Sequence, residues 1–356
     1  MNDTEINDIR TIKEFKSISF SNFKKTDVFK ELNNSILNIK LESAIYWTSE
    51  IICAGHFLDL WDFIINFYSK SIHIGNVPLV IFIELKINQF KSILNNGYQD
   101  NILKLRNYQP IRELFIQIIY LLIESSKKYT HTEIKIRPKD FDLQELSDRF
   151  KAPHNRFQEL VFLEDDPKSL FIICNELIYN LQEIKDNRGA IFWVEWLINY
   201  VKHCKKKNEI IIISRRNFKN IHSNFQKDPI WMIWDIFFKL SHNNKVLRKI
   251  VDSSFTLFSL KYSPSVVNKR KYLIYFLISV YCDNLSFSGE MINQEQKENL
   301  ALILKNIDKI FSQIKKNEIT PGTDYLFKNQ KQRNLEQTIE KLETLNSFHE
   351  DFIPRL

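Results

Sequence analysis

Apolar residues recur at helical spacing along most of this chain. From His56 to Lys70, Phe57, Leu60, Trp61, Ile64 and Tyr68 stack on one face, with Leu58 and Ile65 widening the stripe, so the spacing predicts a helix buried on most sides. After Asn293, Ile303, Leu304, Ile307, Ile310, Phe311 and Ile314 keep the same period among charged residues, which predicts a long amphipathic helix. A last helix is expected from Arg333 to Phe348, with Leu335, Ile339, Leu342 and Leu345 inward. Asp166-Pro167 and Asp228-Pro229 each set a capping carboxylate before a proline at a helix start, and Pro78 and Pro110 mark two further starts. One run, Ile210 to Ile213 between Lys207 and Arg215, fits a strand and a buried helix equally and stays open.

The pattern also repeats. Ala44-Ile45-Tyr46-Trp47, with Glu50 following, returns 146 residues later as Ala190-Ile191-Phe192-Trp193, with Glu195 following. Glu31-Leu32 precedes the first box and Glu176-Leu177 the second, and each copy runs on to a proline-led helix, at Pro78 and at Pro229. This predicts an all-α fold of two similar multi-helix arrays, packed like a collar or a HEAT solenoid and followed by C-terminal helices. The expected divisions are a polar leader (1–28), a first array (29–130), a connector (131–165) with one short helix near 142–151, a second array (166–285) and C-terminal helices (286–356). The connector is the expected hinge. Trp47, Trp61, Trp193, Trp196, Trp231 and Trp234 are expected to act mainly as core anchors, because each ring can bury a large apolar area.

Composition supports the helical reading. Only six glycines occur in 356 residues, against about 7% in ordinary proteins, and they do not punctuate strand-like runs as an α/β fold requires. With 44% hydrophobic residues, 28 Phe and 13 Tyr, there is ample material for a core, which excludes disorder as the main state. The longest apolar runs, at 114–123 and 272–282, fall short of the roughly 20 residues a membrane-spanning helix needs, so no membrane partner is expected. The N-terminus lacks a basic patch leading into an apolar stretch, and neither a secretory signal nor a transit peptide is expected. Cys53, Cys174, Cys204 and Cys282 lie far apart in apolar patterns, as reduced core thiols do.

No motif for catalysis, a cofactor or a metal is present. There is no glycine-rich turn leading to Gly-Lys-Ser/Thr, no Gly-x-Gly-x-x-Gly, no Cys-x-x-Cys, no His-Glu-x-x-His and no EF-hand loop. His131-Thr132-Glu133 begins like a zinc-deaminase motif but lacks the downstream Pro-Cys-x-x-Cys, so it reads as a chance match. Glu50 and Glu195 differ by one residue in their offset from Trp47 and Trp193, about 100° of helix rotation, so they do not form a symmetric pair. Each is read as a structural carboxylate, bonded to a neighbouring Trp or Arg. His56 and His73 are read as capping or packing residues.

The net charge of +7 permits a polyanionic partner without demanding one. Three clusters form the candidate partner-binding or nucleic-acid-binding surface: Lys205, Lys206 and Lys207; Arg215 and Arg216 with Lys219; and Lys269, Arg270 and Lys271. Phe218, Phe225, Tyr262 and Tyr272 are interleaved with them, a mixture that can hold phosphates and stack bases. The competing reading is a set of solvated helix ends, since cations favour a helix C-terminus.

From Ala44 to Pro78 the chain resembles the C-terminal helical domain of the replication-associated recombination AAA+ ATPases of the Werner-helicase-interacting type, itself similar to clamp-loader collars. Ala44-Ile45-Tyr46-Trp47 looks like that family's Ala-Leu-Tyr-Trp, Gly55 keeps its distance from the tryptophan, and Gly75-Asn76-Val77-Pro78 resembles its Gly-Asn-Ala-Asp-Pro turn with a one-residue shift. Ser71 and Ile72 replace the family's acidic pair, and the ATPase domain has no counterpart. The resemblance therefore implies a helical unit that packs and mediates oligomer formation, without enzyme activity. Over its full length the chain is also similar to a conserved protein of nucleocytoplasmic large DNA viruses, giant and algal. Tyr46-Trp47, Cys53-Ala54-Gly55-His56, His73-Ile74-Gly75-Asn76, Lys104-Leu105-Arg106-Asn107 and Phe225-Gln226-Lys227-Asp228 carry that similarity. It implies a cytoplasmic virus factory or a virion as location.

Together these readings lead to an expectation of a non-enzymatic assembly protein, with protein partners or a homo-oligomer, in a viral DNA replication or processing complex. A DNA- or RNA-binding protein and a virion structural component are the alternatives.

Overall fold

Each array begins with a helical hairpin whose two apolar stripes face each other. In α1 (Lys25–Leu37), Val28, Leu32 and Ile36 fall four residues apart and are fully buried, and they meet α2 (Leu41–Cys53), where Ala44, Ile45, Ile51 and Ile52 are buried. The computed structural model describes residues 4–319 except 100, 129–133, 143, 155–156, 284 and 286–290. The predicted helix from Arg333 to Phe348 and the triplet at 131–133 lie outside the described residues. Among these there are eleven α-helices and no sheet, only one isolated antiparallel bridge between Ile18 and Lys24. The fold is all-α, as the pattern predicts.

The first array continues through α3 (Phe57–Phe67), a π-turn (Tyr68–Ile72), a 3-10 turn (His73–Asn76), α4 (Leu79–Asn95) and α5 (Gln109–Glu124). The second holds α6 (Phe171–Gln182), α7 (Asn187–Lys206), α8 (Ile230–Leu240), α9 (Lys245–Ser259) and α10 (Val267–Cys282). Their packing corresponds helix by helix: α5 lies across the α1–α2 hairpin as α10 lies across α6–α7, and α4 meets α5 as α9 meets α10. The arrays join where α4 packs on α9, the same helix of each copy, and where α10 packs on α3 and the turns after it. By this order, Pro78 leads α4 whereas Pro229 leads α8, which are not equivalent helices.

Buried polar contacts fix the seam. Glu84 on α4 accepts hydrogen bonds from Lys249 Nζ (2.8 Å), Ser253 Oγ (2.8 Å) and Thr256 Oγ1 (3.3 Å) on α9. His73, fully buried with a φ of 53°, sets its ring edge-on to Phe276 of α10, a packing role as predicted. His56 likewise packs, its Nε2 2.8 Å from the Ile18 carbonyl.

The leader is not a loose polar tail. Ile6, Phe15 and Phe20 are buried, and the Arg10 guanidinium, paired with Asp8, lies 4.6 and 5.0 Å from the ring centres of Phe15 and Phe20. The last helix, α11 (Gln294–Lys315), returns to pack on α2 and α5 of the first array. There the buried Arg112 of α5 lies 4.0 Å from the Phe311 ring centre and donates to the carbonyls of Arg106 and Thr4. Ile9 N–H donates to Ile319 O, and Ile319 N–H to Asp8 Oδ2, so the leader clasps the chain beyond α11.

The connector, expected to be a hinge, is held to the second array at several points. Glu176 accepts from the N–H groups of Lys151 and Ala152, Trp196 Nε1 donates to Asp140 O, and Asn175 bonds to the backbone of His154 and Phe157. It forms short 3-10 turns, among them Ser147–Arg149, in place of the predicted α-helix.

Two local expectations fail, and the run left open takes neither of its two forms. Leu58 is 49% exposed, because the α3 contact stripe is too narrow to include it. Asp166 caps no helix; it accepts from the N–H groups of Leu163 and Ser214 and pairs with Arg216. Residues 210–213 are neither strand nor helix. Ile210 is 82% exposed, while Ile213 is buried and its N–H donates to Lys227 O.

Candidate functional site

The first residues of α2 and of α7 each line a cleft, and the two clefts sit on equivalent positions of the duplication. The Tyr46 and Trp47 rings meet at 5.2 Å and 78°, the Phe192 and Trp193 rings at 5.2 Å and 80°. The two boxes are thus the same local structure, and the segment before each hairpin lays a phenylalanine on its tryptophan. Phe23 meets Trp47 edge-on at 5.6 Å, and Phe150 stacks on Trp193 at 6.1 Å.

The cover differs between copies. Trp193 is 2% exposed, and Arg149 places its guanidinium 4.1 Å from the Phe192 ring centre. Trp47 and Tyr46 remain half-buried, and Phe23 is itself 46% exposed. Trp47 therefore departs from the core-anchor expectation, whereas Trp61, Trp193, Trp196, Trp231 and Trp234 are buried as predicted. Beside Trp47 runs a groove of about 680 Å³ between α2 (Leu41, Ile45, Tyr46) and α11 (Ile303, Ile310). The α11 stripe predicted to face inward divides here: Ile307, Phe311 and Ile314 are buried in the first array, while Ile303 and Ile310 face the groove half-exposed. The equivalent cleft of the second array is polar, about 470 Å³, and lies against the connector.

Each glutamate after a box is held by several hydrogen bonds. Glu50 accepts from Ser19 Oγ (2.8 Å), Ser21 N (2.9 Å), Ser21 Oγ and Tyr46 OH, which fastens the leader to α2. Glu195 accepts from Tyr275 OH, Lys271 Nζ and Asn199 Nδ2. The partners are serine, tyrosine, lysine and asparagine, not the expected Trp or Arg. The four cysteines are free and buried, and burial pushes the thiols of Cys53 and Cys174 far up and that of Cys282 up to about 12. Among the described residues no group of histidines, cysteines and carboxylates is arranged to hold a metal ion, and no helix is long and apolar enough to cross a membrane.

The predicted basic surface divides. Lys205, Lys206 and Lys207 are exposed at the C-terminal end of α7, where cations are favoured. Arg215, Lys219 and Lys269 are also exposed. Three others are engaged in ion pairs, two of them buried and Lys271 half-buried. Arg216 is buried between Asp166 (2.7 Å) and Asp235 (2.5 Å); Arg270 is buried on the carbonyls of Phe258 and Leu260 and on Asp62 of the other array; Lys271 pairs with Glu195. The aromatic residues divide as well, since Phe218 and Tyr262 pack against Trp231, and Phe225 packs against Tyr262. Only Tyr272 lies among cations, with Lys70 Nζ 5.4 Å and Lys271 Nζ 5.9 Å from its ring centre.

The cations of the polar cleft, Lys135, Arg137, Arg149, Lys151 and Arg188, are absent from the predicted clusters. Four of them are scattered along the connector and form no run, and only Arg188 stands next to the second box, so the sequence carries no signal that groups them. No protein-family model, curated protein or solved structure matches this chain.

Proposed function

We propose that this chain is a non-enzymatic assembly protein that self-associates by docking an apolar helical face of a second copy into the groove between α2 and α11. The observation that carries this reading is the unequal cover of a duplicated surface. The second tryptophan is sealed by the chain's own connector, and its counterpart Trp47 opens onto an apolar groove. Half-exposed aromatic residues beside apolar helix faces supply the anchors on which protein interfaces depend. The collar resemblance, which covers Trp47 and implies oligomer formation, supports a second copy as the occupant, and with the viral similarity it suggests a viral DNA replication or processing complex as the setting.

Light scattering on the full chain tests this. A stable oligomer at micromolar concentration is expected, and Ile303→Asp, a substitution at a half-exposed position, should return it to a monomer with unchanged circular dichroism. A wild-type monomer, or an oligomer indifferent to Ile303→Asp, contradicts the proposal.

A nucleic-acid-binding function is the second reading, favoured by the position of Lys269. It sits in the first turn of α10, where the helix dipole opposes a cation, and neighbouring Asn268 is bonded to Lys202 of α7. Burial lowers the Lys202 pKa, Glu195 opposes it, and Lys271 and Lys206 add to the lowering, as cations along one edge do. Binding to DNA or RNA should then fall steeply with salt as counterions are released. The combined reversal Lys205→Glu, Lys206→Glu and Arg215→Glu should abolish it, and unchanged binding would refute this reading.

A further inference from the structure

The polar cleft of the second array is a site of a different kind. Five cations and three carboxylates line it, with Phe192 and Trp193 as its apolar wall. Two carboxylates are already engaged: Asp140 with Arg137 (3.4 Å) and Asp186 with Lys151 (2.7 Å). The Asp186 carboxyl is held below its usual range. Burial pushes it up, but Lys151 and the N–H groups of Gly189 and Arg188 outweigh that. Asp186 thereby caps α7 through the Gly189 amide. Lys135, Arg149 and Arg188 make no ion pair among the described residues, against the single exposed carboxylate of Asp148, and this leaves the cleft with an uncompensated positive charge.

A second observation points to an occupant. Asn180 is 1% exposed and lines the cleft, its Nδ2 donates to Glu176 O, and its Oδ1 has no hydrogen-bond partner. A buried acceptor left unpaired is costly. Gly189 borders that oxygen without a side chain, and a Cβ there would stand 2.2 Å from it. The cleft thus offers two guanidinium groups and an ammonium to an anion, and a buried acceptor to a donor, in a volume typical of small-molecule sites.

We infer that this cleft binds a small phosphate monoester carrying an N–H or O–H donor, of the size of a nucleoside monophosphate. The phosphate is met by Arg149, Arg188 and Lys135, and the donor by Asn180 Oδ1. The site is separate from the α2–α11 groove, so either assignment can fail alone.

Calorimetric titration of the full chain with adenosine monophosphate, and in parallel with inorganic phosphate, tests the assignment. The nucleotide should bind, more tightly than inorganic phosphate, and its affinity should fall about tenfold in Arg188→Ala and in Arg149→Ala, each removing one charged contact. Both side chains are exposed and without ion pairs, so these variants keep the fold, which their circular dichroism should verify. Absence of binding, equal binding of both probes, or affinity unchanged in both variants overturns the inference.

Discussion

Phe150 stacks on Trp193, their ring planes 10° apart, and closes the second aromatic box from the connector side. In the first box Phe23 touches Trp47 only edge-on and is itself half in solvent, so one copy of a duplicated surface is finished by the chain and the other is left open.

The two tryptophans should therefore respond differently to truncation. Trp193→Ala removes a fully covered ring and should cost about 3–5 kcal/mol in denaturant unfolding. Trp47→Ala should cost clearly less in the monomer and should instead abolish self-association. Equal losses of stability would mean that the two sites are covered alike.

Arg216 and Lys205 belong to the same predicted surface but not to the same environment. Arg216→Ala leaves Asp166 buried without its cation and should cost about 3–5 kcal/mol. Lys205→Ala, at an exposed helix end, should stay within about 0.5 kcal/mol of wild type. Urea titrations of the two variants check this, and a small effect at Arg216 would return it to the surface.

The seam between arrays should weaken in acid. Burial raises the Glu84 carboxyl, but Lys249, Ser253 and Thr256 outweigh burial and hold it below its usual range. A folded pKa below the unfolded one gives stability that is present above the unfolded value and is lost as pH falls through the folded value. Glu84→Gln should accordingly cost about 2 kcal/mol at neutral pH, and the difference from wild type should shrink through the acid range. A difference that stays constant with pH would show that the ionised form contributes nothing.

Gly75 is required by close backbone approach. A Cβ there would lie 2.0 Å from the Ser126 carbonyl oxygen, an atom that cannot swing aside as a side chain can. Gly75→Ala should cost about 1–3 kcal/mol, read as a lower thermal midpoint, and an unchanged midpoint would mean that the turn after α5 yields freely.

Helix period and the repeated box made the architecture legible, because a stripe such as Val28, Leu32 and Ile36 states both that a helix forms and which face it buries. Charge runs were a poorer guide. Arg216 and Arg270 look like their neighbours in the sequence, and the carboxylates that pair with them, Asp166 and Asp62, stand 50 and 208 residues away. In the leader the spacing does not tell buried from exposed positions, since Ile6, Phe15 and Phe20 are buried in irregular backbone while Ile9, Ile12 and Phe23 are exposed. The polar cleft was invisible for the related reason that its cations come from a connector without period and from the first turn of α7.

The most direct test of the unequal duplication is a photo-crosslinking residue placed at Tyr46 in one protein and at Phe192 in another, with adducts read by mass spectrometry. The account predicts an intermolecular adduct from position 46, mapped to a helix of a second copy, and only intramolecular adducts from position 192. No intermolecular adduct from position 46, or the same yield from both positions, would contradict it.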